Sequence, residues 1–403
     1  MAFEISRSGG ERGENRGGAQ NEPIAVVGTS AAGLFTASLL AKSGRRVEIL
    51  EQNERLEPEE RTLIVTRRMR ELLGPAAESS IVNEIRQFEL FTDGRSASVA
   101  LSRPDLIIER AALIRTLAQD ASNSGAQLHL GSRFSRLRPE GDGIAIELEH
   151  AATAEARELS AGTVVGGDGA SSRVAESAGW PRQKTVPLVQ AIVPLPRDMR
   201  PDTVRVWFVP DDTPYFYWLI PDSPTRGALG LIGESGHQAR THLERFLEKR
   251  EIRPIAFQGA KIPAYTGWVP VEKRVGKGRV FLVGDAAGQV KVTTVGGIVT
   301  GFRGALGVAQ AILKGGSNSE LRSLRRELDL HLMLRRAMHH FTQNDYSRLV
   351  DLLNDPARRS LAEYTRDEAL KVLWHLCLSQ PRLVLLGLRG LLTRGRLFGR
   401  SNA

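Results

Sequence analysis

The chain has one cysteine, Cys377, in 403 residues. Disulfide frameworks, CxxC redox pairs and thiolate metal clusters are thereby excluded, so any redox chemistry needs a cofactor. Long apolar runs are also missing: no stretch of about 20 uninterrupted apolar residues is there to span a bilayer. Lysine is scarce, at 9 of the 55 basic residues, and the formal charge of +9 rests on arginine. That charge favours anionic partners without separating nucleic acid from anionic lipid or from simple solubility. No zinc-knuckle spacing, RNA-binding aromatic signature or basic helix-turn-helix occurs, so nucleic acid is not an expected partner. The adjacent His339 and His340 point about 100° apart on a helix and cannot share a metal in the i, i+4 manner, so no metal site is expected. No Ser or Cys sits in a nucleophile elbow, which leaves hydrolysis unsupported.

What is present is an ordinary globular composition, 41% hydrophobic and 25% charged, in a chain long enough for two cores. Residues 1–22 mix glycine with charges of both signs and read as a disordered leader rather than a signal peptide, which places the protein in the cytoplasm. Ile24 to Val27, an Ala-rich segment from Ala31 to Lys42, and Val47 to Leu50 form a strand, helix and strand that open a parallel sheet. Residues 52–107 read as an irregular insertion with one helix, Thr66 to Leu73. A helix from Ala111 to Ser124, a strand at Gln127 to Leu130 and a hairpin turning at Gly141, Asp142 and Gly143 follow. From about 181 to 270 short β runs broken by Pro and Asp predict a second, mostly antiparallel sheet. Arg279 to Val283 returns to the first sheet. Beyond Gly297 the pattern is helical, with Leu321, Leu324 and Leu328 on one face of a helix from Glu320 to Phe341.

Gly28, Thr29, Ser30, Ala31, Ala32 and Gly33 lie between the first strand and its helix, the context a dinucleotide loop requires. Gly28 permits the tight turn, small Ser30 lets backbone N–H groups reach a pyrophosphate, and Gly33 lets the helix approach the strands. The same residues also suit a purely structural strand-to-helix turn. Glu51, ending the second strand about 20 residues on, is placed to accept hydrogen bonds from an adenosine ribose.

Two further segments, Asp168-Gly169 with Ala170, Ser171 and Ser172, and Val283-Gly284-Asp285-Ala286-Ala287-Gly288, resemble the second and third fingerprints of FAD-dependent oxidoreductases of the para-hydroxybenzoate hydroxylase fold. The resemblance implies an α/β architecture: a Rossmann-like FAD-binding domain (residues 23–180 and 271–318), an inserted substrate-binding β-sheet domain (181–270) and a C-terminal helical region (319–403). It implies FAD as cofactor, with Asp285 holding the ribityl chain and Arg110 contacting the cofactor. Arg61 falls where another flavin-contacting Arg often lies, but reads as a surface salt-bridging residue. The second fingerprint departs from the family at Ala175, where an Arg is usual.

The run from Gly288 through Gly296, Gly297 and Ile298 is similar to the loop of the geranylgeranyl reductase family, in which relatives commonly carry Pro and Gly at the places of Val292 and Val295. There Gly296 and Gly297 would present backbone N–H groups to the flavin N1–O2 edge. Phe216-Tyr217-Trp218-Leu219-Ile220-Pro221 is similar to an aromatic motif of the same reductases. Phe216, Trp218 and Ile220 share one strand face, equally suited to sheet core or to an apolar tunnel, and the resemblance selects the tunnel. The hexapeptide also resembles a box of flavin-dependent halogenases. Those enzymes need a lysine between the first two fingerprints, and none occurs here between Lys42 and Lys184.

The family implies reduction of carbon–carbon double bonds in an isoprenoid or other apolar substrate by hydride from reduced flavin. An FAD-dependent hydroxylase and a non-catalytic flavin- or lipid-binding protein are the alternatives. No second nucleotide motif marks an electron donor. In the tail, Arg382, Arg389 and Arg396 recur every seven residues among Leu, Val and Phe. A helix from Pro381 to Phe398 would suit either peripheral contact with a membrane or docking on the protein itself.

Overall fold

A computed structural model of the chain describes residues 22–315 and 318–392. The leader before residue 22, and Arg394, Arg396, Phe398 and Arg400 of the tail, lie outside the described residues.

Strand β1 (Ile24–Val27), helix α1 (Ala31–Lys42) and strand β2 (Val47–Leu50) stand where the apolar runs place them. The segment 52–107 is not irregular. It carries β3 (Thr62–Val65), α2 (Arg68–Leu73) and a long hairpin of β4 (Ile81–Thr92) and β5 (Arg95–Glu109). The hairpin escapes a period-2 reading because its register shifts between Ile85 and Gln87. Apolar residues fall on odd positions before that bulge (Ile81, Ile85) and on even ones after it (Phe88, Leu90), so the alternation cancels over the whole strand.

Helix α3 (Arg110–Asn123) leads to β6 (Gln127–His129), then to β7 (Ser132–Glu140), β8 (Gly143–His150) and β9 (Ala156–Ala161), which form a separate three-stranded sheet. Next come β10 (Thr163–Gly166) and the short α4 (Arg173–Ser177). Strands β11 (Thr185–Pro194), β12 (Thr203–Trp207), β13 (Tyr217–Pro221) and β14 (Arg226–Ile232), helix α5 (Gly236–Glu248) and strand β15 (Ala256–Pro263) occupy the β-rich middle. The chain then returns through β16 (Glu272–Val275) and β17 (Gly278–Leu282).

The first sheet has the order β16-β17-β10-β1-β2-β6 and is parallel except at its β16 edge. Ile24, Val26, Ile49, Val164 and Val165 are fully buried there, as strands covered on both faces must be. The second sheet, β15-β11-β14-β13-β12-β4-β5-β3, is antiparallel except where β12 runs parallel to β4. Its strands thus come from both sides of the second fingerprint.

Helices α6 (Ile298–Lys314), α7 (Ser319–Met338), α8 (Gln343–Asp351), α9 (Asp355–Glu363), α10 (Ala369–Ser379) and α11 (Pro381–Leu392) complete the described chain. Arg303 on α6 is 2% exposed and binds Glu320 (2.6 Å) and Glu327 on α7. Burial pushes the Glu327 carboxyl above its usual range while Arg303 pulls it back. Removing one partner strands a buried charge. Arg303→Met is therefore expected to cost about 3–5 kcal/mol in urea unfolding, and Arg303→Met with Glu327→Leu to recover part of that loss.

Candidate functional site

The three fingerprints meet at backbone contact distance. Gly28 sits at the end of β1 with φ of +90°, and a Cβ there would lie 2.8 Å from both the Gly167 carbonyl oxygen and the Asp168 Cα. A Cβ on Gly33 would lie 2.9 Å from the Gly28 carbonyl. Gly284 has φ of +61° and faces the Ala32 methyl, which a Cβ would approach to 2.8 Å. Small residues at these places are what let α1 point its first turn into the junction. Ser30 caps α1 by accepting from the Gly33 amide at 3.1 Å. No other side chain caps that end, so the amides of Ala31 and Ala32 face the junction without a side-chain acceptor among the described residues.

Glu51 ends β2 and is 6% exposed. One carboxylate oxygen accepts from the amide (3.1 Å) and the hydroxyl of Thr29, the other from the Asn53 amide (3.0 Å). The acid therefore braces the first loop, with further lone pairs left for a ribose. Asp168 stands at the second fingerprint, directly after Gly167. Its carboxylate accepts from the Ser172 hydroxyl (2.6 Å) and the Val174 amide (3.1 Å), capping α4, so it holds the second turn in shape. Arg173 is exposed and reaches only the Phe134 carbonyl, at 3.5 Å.

Asp285 lies beyond Gly284, and its carboxylate accepts no hydrogen bond among the described residues. Burial pushes its carboxyl up, while the Arg61 and Arg110 guanidiniums beside it pull the other way. Arg61 is thus not a surface salt-bridging residue. Its Nε is buried without a partner, and burial together with Arg110 lowers its guanidinium. Arg110 begins α3, donating from its amide to the Arg61 carbonyl (3.0 Å) and from Nη1 to the Glu59 carbonyl (3.1 Å). Two residues that the sequence does not flag hold the third fingerprint. Gln183 donates to the carbonyls of Asp285 (3.0 Å) and Ala286 (2.7 Å), and Gln289 accepts from the Gly284 amide (2.8 Å). No local pattern could mark Gln183, which is 102 residues from Asp285 along the chain, whereas Gln289 lies five residues from Gly284 and is revealed by its contact.

Gly296, Gly297 and Ile298 stand at the start of α6. Gly297 is its N-cap with no side-chain acceptor, and its Cα faces Asp285 closely enough that a Cβ would lie 3.1 Å from Oδ1. The preceding loop is closed by the Lys291 amide on the Gly296 carbonyl (3.2 Å). Val295 has φ of +52°, a strained position for a β-branched residue. From behind, the loop is pinned by a buried ion pair of Lys291 with Asp367, whose carboxylate also accepts from Thr66. Burial alone would raise Asp367; the Lys291 ammonium outweighs it and holds the carboxyl down at about 2. His331 on α7 meets the Thr293 hydroxyl at 2.6 Å, and burial with the nearby Lys291 pushes its imidazole down to about 3.

The expected strand face forms. Phe216, Trp218 and Ile220 pack on one side of β13 with Phe208, Phe341, Tyr346, Leu386 and the loop residue Val295. Tyr217 points to the opposite face, where it donates to Asp212 at 2.9 Å. Trp218 is packed rather than lining an open tunnel: it is 9% exposed, its Nε1 has no partner, and Phe216 meets it edge-on at 6.2 Å. A cavity of about 340 Å³ opens beside the cluster against Phe341, Tyr346 and Met338, without reaching the indole.

Open amides at a helix start, a carboxylate without a hydrogen bond and an unpartnered guanidinium Nε converge on one junction between the two sheets, and each fits a group of FAD: pyrophosphate, ribityl hydroxyls and a polar flavin edge. This is the fold and cradle of an FAD-binding oxidoreductase. The chain belongs to the FAD binding domain family, whose profile matches residues 21–321. It is 24% identical over 359 residues to the digeranylgeranylglycerophospholipid reductase of Methanothrix thermoacetophila, covering 81% of this chain and 90% of that one. It is 26% identical over 237 residues to digeranylgeranylglycerophospholipid reductase 1 of Methanothermobacter thermautotrophicus, covering 57% of this chain and 59% of that protein. The fold superposes with a TM-score of 0.74 on a geranylgeranyl bacteriochlorophyll reductase-like protein from Thermoplasma acidophilum, at 18% identity over 90% of this chain and 98% of the other.

Asp285→Ala removes the carboxylate without a hydrogen bond and little core volume. FAD retention, followed by flavin absorbance after gel filtration, is expected to fall about tenfold or more while the far-ultraviolet dichroism stays unchanged. A second expectation concerns pH. Because the folded imidazole of His331 lies far below its ordinary 6.5, the unfolded chain binds the proton first, and the contribution of this group is full above that value and lost as pH falls towards about 3. Urea unfolding of His331→Leu should show a shallower loss of stability than the parent between pH about 7 and about 5.

Proposed function

We propose that the protein is an FAD-dependent reductase of carbon–carbon double bonds in an isoprenoid lipid. The observation that carries this reading is the aromatic face of β13, where Phe216, Trp218 and Ile220 share a dry cluster with Val295 of the loop that leads into α6. Likeness to proteins named as reductases of geranylgeranyl lipids supports it. When bound, reduced FAD supplies the hydride. The chain's part is to hold the cofactor through the amides of α1 and α6, to bind its polyol beside Asp285, and to keep water from the reacting carbons by packing apolar side chains over them. Phe216 and Trp218 form the packed apolar wall that shields the reacting carbons, while Gly296 and Gly297 offer unhindered amides where negative charge develops. The lipid is taken from a membrane, which the basic C-terminal segment contacts.

The test is a stopped-flow comparison under air. Reduced holoprotein is expected to persist in buffer and to reoxidise when a geranylgeranyl lipid in detergent is added, yielding a product two hydrogens heavier. Fast reoxidation coupled to incorporation of oxygen into the substrate would make the protein a hydroxylase instead. Trp218→Ala should shift the preference among isoprenoid chain lengths about tenfold while FAD affinity changes less than that.

A further inference from the structure

The described helices leave one surface that the cofactor site does not use. Among the described residues ten large apolar side chains stand exposed, and five of them lie within 19 residues: Leu370 (57%), Trp374 (66%), Leu378 (70%), Leu385 (62%) and Leu388 (49%). The other five, Val82, Leu130, Ile255, Leu313 and Met333, are scattered along the chain. Leu370, Trp374 and Leu378 are spaced i, i+4, i+8 and form one stripe on α10. That helix, ALKVLWHLCLS, buries only Ala369. An apolar helix that packs this little against its own protein is matched to a medium other than water.

Charge says which medium. No acidic residue follows Glu368, while Lys371, Arg382, Arg389, Arg394, Arg396 and Arg400 do. Basic residues flanking an apolar stripe that contains a Trp suit the interface of an anionic bilayer, where the indole sits at headgroup level. The inner side of the same hairpin faces the protein. Leu386 of α11 is buried in the cluster of Trp218, Ile220 and Tyr346. Leu376 and Leu383 pack on Val350, Leu353 and Ala357. Gly390 lies against the Ala337 backbone of α7, with no room for a Cβ. The root of α10 is fixed as well, through Asp367 to Lys291 of the loop before α6.

We propose that α10 and α11 form the surface by which this protein docks on an anionic bilayer, with α10 lying in the headgroup layer, and that an isoprenoid lipid passes beside α11 to reach the Trp218 cluster. The sequence pattern alone points to the Arg-bearing segment after Pro381; among the described residues the structure adds an exposed apolar stripe on α10, before it. A single helix, α11, has Leu385 and Leu388 exposed on one side and Leu386 buried in the Trp218 cluster on the other. The proposal rests on the reading of the substrate as a lipid.

Trp374→Glu with Leu378→Glu changes two exposed positions and touches neither the cradle nor the core. Full-length holoprotein, parent and variant, is sedimented with phosphatidylglycerol vesicles and with phosphatidylcholine vesicles. The parent is expected to bind the anionic vesicles, less so as salt rises, and the variant roughly tenfold less. With a geranylgeranyl lipid embedded in the vesicles the variant should lose a similar factor in rate, while its rate on detergent-dispersed lipid and its flavin spectrum match the parent. Equal binding by both proteins, or no binding by the parent, overturns the proposal. So does a parent that sediments as a dimer by analytical ultracentrifugation and dissociates in the variant without binding vesicles, since a second copy would then cover the face. Vesicle binding without reduction of any alkene would leave the docking surface standing and defeat the reductase reading.

Discussion

Close contact among the three fingerprint turns, with no room for a Cβ at Gly28, Gly33 or Gly284, is the constraint on which the site depends. At Gly28 the atoms that a side chain would strike belong to the main chain of Gly167 and Asp168, and a main chain held in a parallel sheet cannot move aside as a flexible side chain can. The absence of Cβ atoms at Gly28 and Gly33 lets α1 start directly above the strand ends, and the small Ala32 beside Gly284 lets the third fingerprint close over it. The amides of α1 and the carboxylate of Asp285 thereby come within the span of one dinucleotide.

A second level of order comes from charges buried in pairs. Lys291 with Asp367 and Arg303 with Glu327 tie the loop at the start of α6, and α6 itself, to parts of the chain that follow. In a medium of low polarity such pairs are poor sources of net stability but strict about geometry, because separating them leaves a charge without solvent. The loop they hold carries Val295 in a left-handed conformation, and the cost of that conformation is borne by the surrounding contacts. The C-terminal helices are therefore part of the site's framework as well as the base of the exposed α10 surface.

Much of this was legible in the residues. The first βαβ unit, the return strand before Gly284 and the helices after Gly297 are buried or amphipathic elements whose pattern is local, and so is the alternation that sets Phe216, Trp218 and Ile220 on one face. The long hairpin of β4 and β5 was not legible, since a bulge inverts the alternation midway. Arg61 reads from the sequence as a surface salt-bridging residue, whereas its neighbours in space are Arg110 and Asp285. Asp168 keeps its place in the fingerprint but turns its carboxylate to α4.

The sequence by itself determined a dinucleotide-type loop, because glycine at a strand-to-helix turn and an acid at the next strand end suit close approach to a pyrophosphate and a ribose, while FAD in particular followed from the resemblance carried by the other two fingerprints. Only the tertiary structure decided which polar groups are left unpartnered at the junction, that Gln183 and Gln289 hold the third fingerprint, that Trp218 is packed rather than open, and that α10 carries the exposed apolar stripe. Those are outcomes of burial and pairing between residues as far apart in the chain as Lys291 and Asp367, and a desolvated charge finds its partner through the fold, where sequence spacing carries no signal.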